Sequence, residues 1–190
     1  MFNIFRISSG WIMGEIKNDS QEFVFDYSYM TNFLDDMMKV LLVLHGDWAK
    51  DEEADKFKAT WEPATDVWEM DLEGEIFFIR IKQYQDFECT EYKEEKKFRF
   101  DYYEFLNSFN NTMKELLDKY GLLGYRESWG REFPLSLYLK LLDISKKRNI
   151  IKLEEISEEN NFGLDANRTD IKAEVALMSG ELNGKNKIYV

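Results

Sequence analysis

Two alternating runs face each other across Glu73-Gly74, and no other stretch constrains the fold so tightly. Pairing outward from a two-residue turn puts Met70 opposite Phe77 and Trp68 opposite Ile79 on one face. Glu69, Asp71 and Arg80 then fall on the other. Period-two alternation on both arms describes an antiparallel hairpin with one side in a core and the other in water. Two arms that agree about the apolar face also fix the register, because a slip of one residue would invert both.

The flanking segments extend this pattern. Phe57, Ala59 and Trp61 mark a preceding strand, which Pro63 ends. Further upstream, Phe23, Phe25, Tyr27 and Tyr29 alternate with Glu22, Val24, Asp26 and Ser28. Asn18-Asp19 supplies a turn back to a strand over residues 11–17, and an opening strand spans residues 2–7. Between these strands lies a helix capped by Thr31, with Asp35 and Asp36 in its first turn and Gly46 at its end. Its body, MMKVLLVL, is apolar on nearly every side, so it is expected to be buried against a sheet.

The second half turns helical. Phe98 and Phe100 close a last strand, and Asp101 with Glu104 forms a capping box. Phe105, Phe109, Met113, Leu116 and Tyr120 follow at helical spacing, and Gly121 is expected to stop that helix. Pro134 opens another helix at its first position, with Leu135, Tyr138 and Leu142 on one stripe and Lys146, Lys147 and Arg148 at its end. Beyond Asn149 hydrophobic density falls, and residues 154–161 are nearly all polar. A short helix over 170–178 and a strand over 187–190 are expected there. The fold class is therefore α+β: an antiparallel, meander-like sheet with two or three helices packed on it. Residues 1–148 form one domain, and residues 149–190 form an extension of it.

Composition decides what such a fold can do. Asp and Glu number 37 against 25 Lys and Arg, a net charge of −12, with one histidine and one cysteine. The acidity disfavours nucleic acid and anionic membranes, which recruit Lys and Arg, and favours a basic protein partner. Cys89 has no partner for an internal disulfide, which suits a reducing cytoplasm. The N-terminus lacks a leader-like apolar stretch, and the longest apolar run, residues 40–44, is far too short to span a bilayer.

Chemistry-bearing groups are sparse. Zinc needs clustered Cys and His, and a serine or cysteine nucleophile needs an adjacent base. His45 sits at a helix C-terminus, where it is expected to cap carbonyls, and nothing activates Cys89. Asp35-Asp36 and Asp51 to Glu53 read as solvated turns and not as metal loops. The expectation is a non-enzyme with no catalytic, cofactor or metal residues. A carboxylate-based or metal-assisted hydrolase, and an oligomeric or scaffolding protein, are the alternatives. Residues 47–101 hold 17 Asp and Glu against nine Lys and Arg, so the acidity concentrates there. Within it, Asp47, Trp48, Asp51, Glu52, Glu53 and Asp55 surround an aromatic anchor, and Glu69 and Asp71 face outward on the hairpin. These eight form the candidate partner-binding patch.

The stretch from Phe25 to Ile81 also carries a resemblance. Tyr27-Ser28-Tyr29 leads to a helix containing Phe33, Leu34, Leu41, Leu42 and Leu44. His45-Gly46-Asp47, Trp61-Glu62-Pro63 and Trp68 on an alternating hairpin follow. About a third of the chain thus resembles small acidic bacterial proteins of uncharacterised families, including immunity proteins encoded beside secreted toxins. The resemblance assigns no functional residue. It implies a cytosolic inhibitor that occludes a basic toxin domain through a preformed surface.

Overall fold

A computed structural model describes residues 1–47, 55–146, 154–156 and 166–182. The fold is α+β, with the strands in two antiparallel meanders and not in a single sheet. The first comprises β1 (Phe2–Ser8), β2 (Trp11–Lys17) and β3 (Glu22–Ser28). The second comprises β4 (Lys56–Trp61), β5 (Ala64–Glu73), β6 (Ile76–Tyr84) and β7 (Tyr92–Asp101), in that order. The sheet divides because α1 (Phe33–His45) intervenes between β3 and β4, which share no ladder.

Alternation builds the core as the sequence implies, except that Tyr29 lies beyond the end of β3 and is exposed. Phe23, Phe25 and Tyr27 point inward from β3, and Trp68, Met70, Phe77, Ile79 and Ile81 point inward from the second sheet. Phe33, at the start of α1, bridges the two layers: its ring lies 5.0 Å from Phe25 and 5.5 Å from Trp68. The expected Thr31 cap does not form. Asn32 holds the cap position without a side-chain bond, and Thr31 Oγ1 accepts the Thr60 N–H at 3.3 Å, pinning the helix start to β4. Gly46 ends the helix in the left-handed conformation, as expected.

The central hairpin forms, but its register differs from the expected one. Met70 pairs with Ile79 and Trp68 with Ile81, so the turn residues are Gly74 and Glu75. Gly74 has φ +64, the backbone that the first position of a type II′ turn assigns to glycine. The displacement amounts to two residues, which leaves every side chain on its expected face. Burial therefore cannot distinguish the two registers, and the turn geometry decides.

The helix α2 (Tyr102–Trp129) starts at the expected cap, where Asp101 Oδ1 accepts the Glu104 N–H at 2.9 Å. Gly121, with φ 63 and ψ 178, ends its first helical run as expected, and a second helical run follows directly across the kink. The chain resumes helical geometry at once and buries Tyr125 and Trp129 four residues apart. Along its first turns α2 seals the open edge of β1. Ser108 Oγ accepts the Phe2 N–H at 3.2 Å, Thr112 Oγ1 donates to the Phe2 carbonyl at 2.8 Å, and Tyr120 Oη accepts the Ile7 N–H at 3.2 Å. An edge strand covered in this way cannot template foreign pairing.

The helix α3 (Leu135–Ser145) follows, with Pro134 at its cap, one place earlier than expected, and Lys146 at its other end. Lys147, Arg148 and the strand expected over 187–190 lie outside the described residues. Two short strands absent from the sequence reading, β8 (Glu154–Ile156) and β9 (Ala166–Arg168), pair before α4 (Ile171–Leu182). Leu177 of α4 is 1 % exposed and belongs to the same core, so part of the extension packs on the domain. Among the described residues, no helix is long and apolar enough to cross a membrane.

Candidate functional site

The eight predicted patch residues do not assemble into one surface. Trp48, Asp51, Glu52 and Glu53 lie outside the described residues. Asp47 sits at the end of α1 between His45 Nδ1 and Lys140 Nζ, the latter at 3.2 Å. Burial acts to raise its carboxyl, but the hydrogen bonds from His45 and Lys140 outweigh burial and hold it below the usual range. His45 is therefore engaged with Asp47, and its ring stacks 6.2 Å from Tyr102. This cluster ties α1 to α3.

Asp55, Glu69 and Asp71 do come together, bordering one depression on the outer face of the second sheet with Lys56, Arg80 and Lys97. The strand register sets charges in rows across this face. Lys56, Glu69, Arg80 and Lys97 form one row, and Lys58, Val67, Lys82 and Glu95 form the next. Glu69 accepts from Arg80 at 3.1 Å and from Lys82 at 2.7 Å, while Glu95 accepts from Lys97 at 2.6 Å. Burial would raise Glu69, but Lys82 and Arg80 hold it below the ordinary carboxylate range. Asp71 is exposed, and its Oδ1 accepts the Leu72 N–H at 2.8 Å. With Asp55, Asp71 and Glu73 set against Lys58 and Arg99, the two signs nearly balance on this face. Position 69 supplies a bound carboxylate, not a free one.

Among the described residues, further exposed carboxylates gather at the two ends of the second sheet, where its turns are. At one end Asp19, Glu75, Asp101 and Glu104 border a depression shared with Met1, Lys17 and Arg99. The other end is the loop between β6 and β7, which brings acids and aromatics together. Gln85 N–H donates to the Glu91 carbonyl at 2.9 Å and closes the loop. Inside it the Asp86 carboxylate accepts the Thr90 N–H at 3.0 Å, the Thr90 hydroxyl at 3.2 Å and the Glu91 N–H. These bonds, led by that from the Thr90 backbone, hold the Asp86 carboxyl below its usual range. Cys89 occupies a left-handed conformation, φ 61, at the loop crest. Phe87 is 43 % exposed and Tyr92 56 % exposed, and Tyr84 and Tyr92 meet edge to face at 5.9 Å. Glu88 and Glu91 of this loop are exposed, as is Glu62 in the β4–β5 turn at the same end of the sheet.

A buried polar hub underlies this end. Trp61 Nε1 donates to Asp66 Oδ1 at 3.3 Å, and Lys93 Nζ sits 5.9 Å above the Trp61 ring. Asp66, 1 % exposed, also accepts from Tyr27 Oη at 2.7 Å and Gln83 Nε2 at 3.3 Å. Tyr27 Oη in turn accepts the Trp68 N–H at 2.8 Å. Burial pushes the Asp66 carboxyl up, and the three donors offset it only in part. Neither the hub nor the loop emerged from the sequence reading. The available signal was Phe87 and Tyr92 within a charged, turn-like stretch.

At the start of α1, burial followed by the neighbouring Asp35 raises Asp36 to about 6, against Lys39 and Arg131. A carboxyl whose folded pKa is raised contributes stability below its unfolded pKa and loses it as pH climbs through 6. Asp36→Asn, which mimics the neutral form, is therefore expected to stabilise the protein by about 1–2 kcal/mol at pH 8, a value discounted for partial exposure. Urea unfolding of both proteins should show this gain at pH 8 and almost none near pH 4. Among the described residues, no group of three or more His, Cys, Asp or Glu is placed to hold a metal ion. No protein-family model matches the chain, and neither a curated protein nor a solved structure matches it.

Proposed function

We propose that this chain is a cytosolic binding protein of the immunity type, which neutralises a basic toxin domain by covering it. The observation that carries this reading is the distribution of charge. The sheet face balances its own anions, whereas the turns at both ends hold exposed carboxylates, among them Glu75, Glu104, Glu88 and Glu91. Surplus negative charge on rigid turns raises the association rate with a cationic protein and costs little reorganisation on docking. The sparse set of catalytic side chains fits occlusion better than turnover.

The neighbouring open reading frame supplies the test. Coexpression with a basic C-terminal domain of a secreted protein encoded immediately upstream is expected to restore the growth that this domain abolishes. Undiminished growth arrest, with both proteins soluble, would overturn the reading.

A further inference from the structure

We propose that the β6–β7 loop end is the docking surface for an arginine-rich face of a protein partner, anchored by Phe87 and Tyr92. This rests on the binding reading above and names its contact surface. Interfaces draw most of their energy from a few aromatic and arginine side chains at a desolvated centre, ringed by polar groups. Phe87 and Tyr92 are large aromatics left in water at one end of a sheet that buries Trp68, Phe77 and Phe98. Glu88 and Glu91 are exposed in the same loop, and Glu62 is exposed in the β4–β5 turn at the same end of the sheet. Lys93, next to Tyr92 in the chain, sits over Trp61.

The chemistry selects the occupant. A guanidinium stacks on an aromatic face and forks to carboxylates in the same approach, which a lysine does less well. Lys93 over Trp61 displays that cation–ring geometry within this end of the molecule. The opposite end offers carboxylates without exposed aromatics, and the sheet face between the two is close to balanced in charge. Polyanions are repelled here, and a purely apolar partner would strand the acids. The loop is closed by its own hydrogen bonds, so the partner meets an ordered surface.

Fluorescence anisotropy of a dye-labelled nona-arginine peptide at low salt tests this. The combined substitution Phe87→Ala with Tyr92→Ala is expected to weaken binding about tenfold, which corresponds to loss of about 1.4 kcal/mol of cation–ring contact over the two rings. Glu88→Gln with Glu91→Gln should do the same and flatten the salt dependence. Glu75→Gln with Glu104→Gln, at the far end, should change affinity less than about twofold. Thermal melts of all variants should match the parent, since every substituted side chain is partly or fully exposed. Equal losses at both ends, an unaffected aromatic pair, or no peptide binding at all would each overturn the proposal. Toxin neutralisation that persists in the loop variants would overturn this surface and leave the immunity reading standing. Peptide binding as described, with no neutralisation by the parent chain, would overturn that reading and leave the surface.

Discussion

Trp68→Ala is expected to cost about 4 kcal/mol and to move the urea midpoint to much lower denaturant with little change in slope. Trp68 is fully buried, and its ring lies within 6.0 Å of those of Phe23, Phe25, Phe33 and Phe57. Truncation leaves a cavity at the junction of both sheets and α1, where neighbouring elements cannot all collapse inward together. Its indole N–H also donates to Tyr27 Oη, so the loss is polar as well as apolar. Trp68→Phe should retain much of the packing and cost about half as much. A loss below 1 kcal/mol for the alanine variant would show that the sheets do not share this core.

The second large effect is expected at Asp66. Asp66→Ala removes the acceptor for Tyr27, Trp61 and Gln83 and leaves their donors unpaired beneath the loop end. An orphaned buried donor costs about 1–3 kcal/mol, so a total near 3 kcal/mol is expected after crediting the removed charge. Asp66→Asn retains one oxygen and should recover most of that loss. Because burial raises the Asp66 carboxyl, its protonated form is favoured by folding, and the asparagine variant should compare best with the parent at high pH. An asparagine variant as unstable as the alanine one would remove the hub from any role in holding Trp61.

The elements were legible wherever one physical signal decided them. Phe98, Phe100 and the Asp101 cap locate the end of the last strand, and the all-round apolar body of α1 marks a buried helix. The register of the central hairpin was not legible, because a two-residue displacement conserves burial and only the turn backbone separates the options. The helix interruption at Gly121 was legible, whereas the second helical run directly beyond it, which buries Tyr125 and Trp129, was not. The candidate surface was least legible. Charge density along the sequence pointed to residues 47–71. The ladder then pairs Glu69 with cations eleven and thirteen residues away, while Phe87 and Tyr92 become prominent only once the loop closes.

The sealing of β1 by α2 has a consequence for synthesis. Strand β1 receives its outer partners from side chains 106 to 113 positions later. As the polypeptide leaves the ribosome, the N-terminal meander must wait with a raw flank until Ser108, Thr112 and Tyr120 emerge. Such distant closure makes maturation slow and late, and it makes nascent fragments ending before residue 120 clients for chaperones.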